Sequence, residues 1–268
     1  MDLGLYLDRI GYRGAGKVEL ATLADLIALQ AAAIPFEAID VLLGKGIDIT
    51  PAAIFDKLVT RRRGGYCFEQ NGLLRQALEA VGFDVEARLA RVLWMRPADA
   101  PPLRATHMVL VVRVGGRTYL ADSGFGNGTP TAPLAFDTDA PQATPLETFR
   151  LRTVPGGHRL EMRIEADWAP VYEILAAAVR DEDIADANLF TSTAPDSRFR
   201  RDLMVARATR EARFLLLGNR LTIRPASGEA ETRLLDATEL ERSLETVFRL
   251  GAEPEWRALL ARFATPDG

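Results

Sequence analysis

Residues 106–122 read THMVLVVRVGGRTYLAD, and their interpretation decides the class of fold. Two runs rich in β-branched and aromatic residues flank a Gly115-Gly116 pair, the strongest short-range signature of an antiparallel hairpin. Around this stretch the chain changes character. Upstream, apolar residues recur at helical spacing. Leu3, Leu5, Tyr6 and Ile10 predict a short helix, and TLADLIALQ from Thr22 places Leu23, Leu26, Ile27 and Gln30 on one face behind a Thr cap. Thr50 and Pro51 predict a third start, as N-cap and first helical residue. CFEQNGLLRQALEAV from Cys67 predicts a fourth helix, with Phe68, Leu73, Leu74, Ala77 and Val81 on its apolar side and Gly82 as its stop.

Downstream of Asp84 the period falls to two. Residues 85–94 (VEARLARVLW) predict a strand closed by the Pro-rich MRPADAPPL, and residues 149–165 a second hairpin turning at Pro155-Gly156-Gly157. Residues 126–147 read as an irregular connection and residues 180–202 as a polar crossing segment. Short strands follow at 203–207, 214–217 and 221–224, then helical patterns from Thr238 and from Pro254. The order is helices, antiparallel strands, and a mixed α/β end.

Composition narrows the function. The 268 residues are 48% hydrophobic and carry 33 Lys and Arg against 37 Asp and Glu, a net charge of −4. That balance argues for a globular protein with a real core and against a generic nucleic-acid or anionic-membrane binder. One cysteine allows no internal disulfide and no Cys₂ or Cys₄ zinc site, and two histidines leave little for a His-based one, so no metal is expected. An N-terminus without an apolar signal region, and the absence of any ~18-residue apolar run, lead to a cytoplasmic expectation.

The lone Cys67 follows Arg61-Arg62-Arg63-Gly64-Gly65-Tyr66. A free cysteine is most often a small buried hydrophobe. Here, however, the glycines resist helix and the residues after them do not, so the thiol sits in a first helical turn. There, free N–H groups and the positive end of the helix dipole favour an anion and an oxyanion. A base is available in the hairpin. If Val114 faces Arg117, Asp122 lies opposite Val109 and His107 opposite Gly124, so His107 and Asp122 are diagonal neighbours on one face, ~7–8 Å apart at Cβ. Asp122 can then orient the imidazole and leave its other nitrogen as base. His158 has no such partner and reads as a solvated turn residue. A hairpin His–Asp pair can be purely structural. Thiol, imidazole and carboxylate together favour a Cys–His–Asp triad, although only tertiary packing can bring Cys67 to His107.

With these residues in place the chain resembles the arylamine N-acetyltransferases. RGGYCFEQN from Arg63 to Asn71 is similar to that family's nucleophile segment. THMVL from Thr106 resembles its histidine strand, and ADSGFG from Ala121 its aspartate strand and Gly-Phe-Gly loop. Pro35-Phe36-Glu37 and NLFTSTAPDSRF from Asn188 (Ser192, Thr193, Pro195, Ser197, Phe199) also match in order and separation. The resemblance implies an α+β fold: an N-terminal helical bundle (1–84) with the nucleophile, a central antiparallel β-barrel (85–190) with His and Asp, and an interdomain segment and α/β lid (191–268), around a cysteine-protease-like Cys-His-Asp core. It implies acetyl transfer from acetyl-coenzyme A, a cosubstrate rather than a bound cofactor, to the nitrogen of an arylamine, hydrazine or N-hydroxyarylamine, by ping-pong kinetics through acetyl-cysteine. Cys67 is then nucleophile, His107 base and proton shuttle, and Asp122 orienter. Phe36, Phe125 and Phe199 line the acceptor pocket, and an Arg63–Glu37 pair positions the nucleophile segment. Ser123, Gln70 and Leu189 depart from the family pattern.

The loop GFGNG at 124–128 is not followed by a helix and meets neither phosphate-loop fingerprint. It reads as a pocket wall whose N–H groups at Gly124 and Gly126 are candidates to face coenzyme A phosphates. The arginines at 61–63 and at Arg198, Arg200 and Arg201 could meet its 3′-phosphate, although solvation explains them more simply. Two other functions use the same features: a cysteine hydrolase or amidase passing the acyl group to water, and a non-enzymatic acyl-CoA or aromatic binder with a structural thiol.

Overall fold

The computed structural model describes residues 1–97, 104–251 and 253–264. Helix α1 (Leu3–Ile10) is capped by Asp2, whose carboxylate accepts from Leu5 N at 3.0 Å. Helix α2 (Leu20–Ala33) begins two residues before the expected Thr22. Thr22 is inside the helix, its hydroxyl 3.5 Å from that of Tyr12, because a tertiary partner replaces the cap that a local reading assigns. Strand β1 (Phe36–Glu37) and helix α3 (Ile39–Leu42) follow. Helix α4 (Pro51–Phe55) starts as expected on Thr50 and Pro51, and continues into a π-helical turn, Asp56–Thr60. Helix α5 (Cys67–Val81) ends at Gly82, whose φ of 104° is the left-handed conformation of a glycine C-cap.

Strands β2 (Asp84–Val92), β3 (His107–Val114) and β4 (Arg117–Ala121) come next. The β3–β4 turn has the expected register, Val114 opposite Arg117, with positive φ at both Gly115 and Gly116. Of the Pro-rich stretch expected to end β2, residues 98–103 lie outside the described residues. The irregular connection contains two short strands, β5 (Leu134–Ala135) and β6 (Gln142–Ala143). Strands β7 (Thr148–Val154) and β8 (Gly157–Ile164) form the second hairpin. Gly157 belongs to the strand rather than the turn, since a Cβ there would lie 1.8 Å from Ile174 O. Strand β9 (Asp167–Leu175) had no expectation behind it. Its Pro170 discourages a strand reading, but the residue sits where the β8–β9 register shifts at Leu160/Glu161, a bulge that tolerates a missing N–H.

These eight strands form one antiparallel sheet, ordered β5-β4-β3-β2-β9-β8-β7-β6. It curls until its two edges meet, giving a nearly closed barrel. At the seam the Gln142 side chain accepts from Ala135 N (2.7 Å) and donates to Ala135 O (3.0 Å), so an amide side chain supplies the bonds a neighbouring strand would make. Val109, Leu120, Phe149, Leu160 and Val171 fill the interior. The other face of β2 and β3 packs on α5 through Leu89, Met108, Leu110 and Val112. Covered on both sides, β3 reads as a continuous apolar run.

Helix α6 (Asp181–Thr193) occupies the segment read from the sequence as a polar crossing. It buries few apolar residues, so the helical period is faint, and its Thr191, Ser192 and Thr193 hydroxyls bond back to carbonyls of the preceding turn. Strands β10 (Met204–Ala208), β11 (Ala212–Leu217), β12 (Arg220–Pro225) and β13 (Glu231–Leu234) follow, the last not anticipated. With β1 they form a second antiparallel sheet, β1-β10-β11-β12-β13. Helices α7 (Ala237–Thr246) and α8 (Trp256–Leu260), the latter shorter than its pattern suggests, cover it through Leu240, Leu244 and Trp256, with Phe248 of their connection. The architecture is α+β, in the expected order of helices, barrel and α/β layer. No helix among the described residues is long and apolar enough to cross a membrane.

Candidate active site

Cys67 is the first residue of α5, as its sequence context predicts. The approach to it is pinned by close packing and buried charge. A Cβ on Gly64 would fall 2.4 Å from Pro35 O, so only glycine lets the loop run against the segment leading into β1. Glu69 Oε2 accepts from Tyr66 N (3.0 Å), and its Oε1 meets Lys57 Nζ (2.8 Å), which the π-helical turn carries. Arg63 is buried and pairs with Glu37 (2.8 Å), Asp40 (3.3 Å) and Glu253 (2.9 Å). Sγ of Cys67 is buried and lies 3.7 Å from the carbonyl of Thr106.

The next residue is His107. Its Nε2 is 2.8 Å from Asp122 Oδ2. The β3–β4 pairing ends at Leu110 opposite Ala121, so Asp122 stands one residue beyond its strand and is free to turn toward the imidazole. With Nε2 engaged, Nδ1 is the ring nitrogen left for the Cys67 thiol, which is near enough to act on the imidazole electrostatically. Burial alone would push His107 down. The charge and hydrogen bond of Asp122, with those of Cys67, carry it up to about 10 instead. Asp122 is held below the usual carboxylate range: burial opposes ionisation, but His107, Asn71 and the Gly124 N–H outweigh it.

Asp122 accepts four hydrogen bonds. Oδ1 takes Asn71 Nδ2 (2.9 Å) and Gly124 N (2.8 Å), and Oδ2 takes His107 and the Tyr172 hydroxyl (2.9 Å). Two of these donors carried no sequence expectation. Tyr172 comes from β9, whose strand pattern was not legible. Asn71 is one turn after Cys67 on the same helix face, and that spacing was the available signal. The network runs deeper: Asn71 Oδ1 accepts from Ser123 N (2.9 Å), Ser123 Oγ accepts from Gln30 Nε2 (2.8 Å), and Gln30 Oε1 accepts from the Tyr6 hydroxyl (2.9 Å). Gln70 Nε2 donates to Ile34 O (3.1 Å) and Pro35 O (2.8 Å). Ser123 and Gln70, two departures from the resembled pattern, are thus both members of this buried amide network. Leu189, the third, is exposed on α6.

The three phenylalanines divide. Phe125 stands edge-on to His107 at 5.1 Å and lies 5.2 Å from Tyr172. Phe36 and Phe199 face each other at 6.0 Å, and Phe199 packs on Tyr66 at 5.8 Å. A small, partly open pocket with room for about one water lies behind this region, lined by Phe36, Ser123, Gly126, Thr129 and the β10 residues Ala206 and Arg207. Cys67, His107 and Asp122 do not line it. The N–H of Gly124 is engaged by Asp122, and a Cβ there would be 2.9 Å from Cys67 Cα, so this glycine is a close-packing position. Gly126, at φ 81°, offers its carbonyl to Arg213 (3.2 Å).

Other residues take structural places. His158 is not a turn residue: it pairs in β8 with Thr153 and Ile174, its ring lies 4.9 Å from Phe136, and burial pushes its pKa down. Arg198, Arg200 and Arg201 bond to Asp202, Thr193 O and Asp196 O. No group of three or more His, Cys, Asp or Glu that could hold a metal ion occurs among the described residues.

A thiol beside one nitrogen of an imidazole, with a fully bonded carboxylate on the other, is an arrangement suited to nucleophilic acyl transfer. A family model described as N-acetyltransferase matches residues 19–256. The chain is 41% identical over 251 residues to the arylamine N-acetyltransferase of Mycobacterium tuberculosis (strain H37Rv), covering 92% of this chain and 89% of that protein. It is 34% identical over 273 residues to the arylamine N-acetyltransferase / N-hydroxyarylamine O-acetyltransferase of Salmonella typhimurium, covering 98% and 96%. Among solved structures, the arylamine N-acetyltransferase of Mycobacterium marinum in complex with CoA superposes with a TM-score of 0.93 at 38% identity, covering 98% of this chain and all of that one.

Proposed function

Because the chain belongs to the arylamine N-acetyltransferase family, we propose that it moves an acetyl group in two steps through Cys67. In the first, Sγ, its proton already held on His107 Nδ1 as the imidazolium that the raised pKa favours, attacks the carbonyl carbon of acetyl-coenzyme A. The carbon–sulfur bond to coenzyme A breaks, and the departing thiolate takes the proton from the imidazolium. One thioester replaces another, so the step is close to balanced in free energy. In the second, the nitrogen of an arylamine, hydrazine or N-hydroxyarylamine attacks acetyl-Cys67. His107 removes the proton from that nitrogen, and the thiolate leaves. Coenzyme A departs before the acceptor reacts, so the acetyl-enzyme stands between the two substrates and free enzyme returns only at the end, which is ping-pong behaviour.

The observation that carries this reading is the 2.8 Å bond between His107 Nε2 and Asp122 Oδ2, with the thiol on the other side of the ring. That bond fixes the tautomer and steadies the imidazolium each time it forms. The dipole of α5 favours the negative charge that develops beside its first turn. We assign Phe125 to the acceptor wall beside the imidazole, with Phe36 and Phe199 farther along it. The CoA-bound relative supports coenzyme A as the donor's carrier, and the reaction as written needs no resident cofactor. In this reading residues 1–84 supply the nucleophile, 85–190 the base and its orienter, and 191–268 the lid.

Mass spectrometry after incubation with acetyl-coenzyme A alone should find one acetyl group, on Cys67, that is removed when an arylamine is added. Cys67→Ala should neither label nor turn over. Labelling elsewhere, or unimpaired transfer by that variant, would refute the mechanism. Rapid loss of the acetyl group to water without an amine would favour a hydrolase.

A further inference from the structure

We propose that Arg213 is a positioning residue for the acceptor: from β11 it fixes the loop 124–129 and, through that loop, the ring of Phe125. The proposal rests on the acetyl-transfer reading above. Arg213 is among the most deeply buried cations of the protein, 1% exposed. Its planar fork is bidentate on Glu147, just before β7, with Nε to Oε1 at 2.8 Å and Nη2 to Oε2 at 2.7 Å. If joining the C-terminal sheet to the barrel were its whole purpose, those two bonds would suffice. The guanidinium also donates to the carbonyls of Gly126 (Nη1, 3.2 Å) and Thr129 (Nη2, 2.9 Å), the two ends of one tight turn, since Thr129 N donates to Gly126 O at 3.3 Å.

Phe125 is therefore bracketed by two anchors. On one side Gly124 N is tied to Asp122. On the other, Gly126 is in the left-handed region, its carbonyl on Arg213 and its Cα against the Phe36 ring, where an added Cβ would come within 3.3 Å. The first anchor belongs to the network that also orients His107. The second does not: Cys67, His107 and Asp122 are held by Asn71, Tyr172, the Gly124 N–H and the start of α5, none of which bonds to Arg213. Loosening Arg213 should free one side of Phe125 and leave the nucleophile and its base in place. A lysine keeps the charge but loses the fork, and one amine cannot serve two carboxylate oxygens and two carbonyls in those directions.

The test compares Arg213→Lys and the double variant Arg213→Met with Glu147→Met, which leaves no buried charge alone. Acceptors are an aniline, which has a ring to pack on Phe125, and hydrazine, which has none. We expect KM for the aniline to rise on the order of tenfold in both variants, with KM for hydrazine and the rate of Cys67 alkylation by iodoacetamide within about twofold of the parent. A merely structural role would shift both acceptors together. Equal changes for the two acceptors, or none, would overturn the proposal. Amide hydrogen exchange at residues 124–130 provides a readout independent of turnover. Faster exchange in the folded double variant supports the clamp even should the parent protein transfer no acetyl group, a result that would defeat the functional reading alone. Unchanged exchange there would overturn it.

Discussion

Asp122 has donors on every side, and this determines what each neighbour can be. An asparagine at the position would turn an amide N–H toward a group that itself donates, so the His107 contact would be lost although the volume is unchanged. Asp122→Asn should lower turnover by about 10³- to 10⁴-fold. The pH dependence of stability has a definite sign. His107 is raised from an ordinary value near ~6.5 to about 10 in the folded protein. Its stabilisation is thus complete below the ordinary value and fades as pH climbs through 10. Urea denaturation should show parent and Asp122→Asn separated by about 3–5 kcal/mol near neutral pH, the gap narrowing toward pH 10. A gap that widens with pH would reverse the assignment. On the acid side the depressed Asp122 works in the opposite direction, its contribution disappearing as pH falls through its lowered value. At this scale much was legible in the sequence. Hairpin register brought His107 and Asp122 onto one face, and the glycine pair placed Cys67 at a helix start. Tyr172 and Asn71 were not assigned, because their partner is a carboxylate distant in sequence and neither breaks a local pattern.

Among the elements, those with strong period and clear punctuation were readable: α1, α4, α5 and the β3–β4 hairpin. Strand β9 was hidden by a proline that a bulge accommodates, and α6 by a composition whose buried positions are mostly small or polar. The start of α2 was misjudged because Thr22 has a cap-like identity and a tertiary partner. Barrel closure was beyond local reading, since β5 and β6 are two residues each and one side chain joins them. That seam is open to test. Gln142→Glu keeps an acceptor for Ala135 N but sets a carboxylate oxygen against Ala135 O, so it should cost about 1–3 kcal/mol in urea denaturation at neutral pH. A variant as stable as the parent would mean the seam contributes nothing.

Across the whole molecule the layers are interleaved rather than strung in series. β1 comes from the first forty residues yet pairs with β10, Phe36 opposite Ala206 and Glu37 opposite Val205. Arg207 reaches back to the carbonyl of Ala32 (2.6 Å), and Arg63 is met by Glu253. The face of α5 that carries Asn71 is covered by β3, outside the helical segment. A fragment of residues 1–84 should therefore lack a cooperative thermal transition by circular dichroism, and its Cys67 should react with iodoacetamide no faster than a free thiol. A cooperatively folding fragment with a fast thiol would show that the helical portion stands alone.

The pairing of Arg63 with Glu253 sets a clock on the molecule. Translation has to run 190 residues past Arg63 before the carboxylate that completes the arginine's surroundings exists, and β10 too is a late arrival for β1. The arginine that leads into the Cys67 segment therefore lacks one of its three acidic partners until residue 253 has been made.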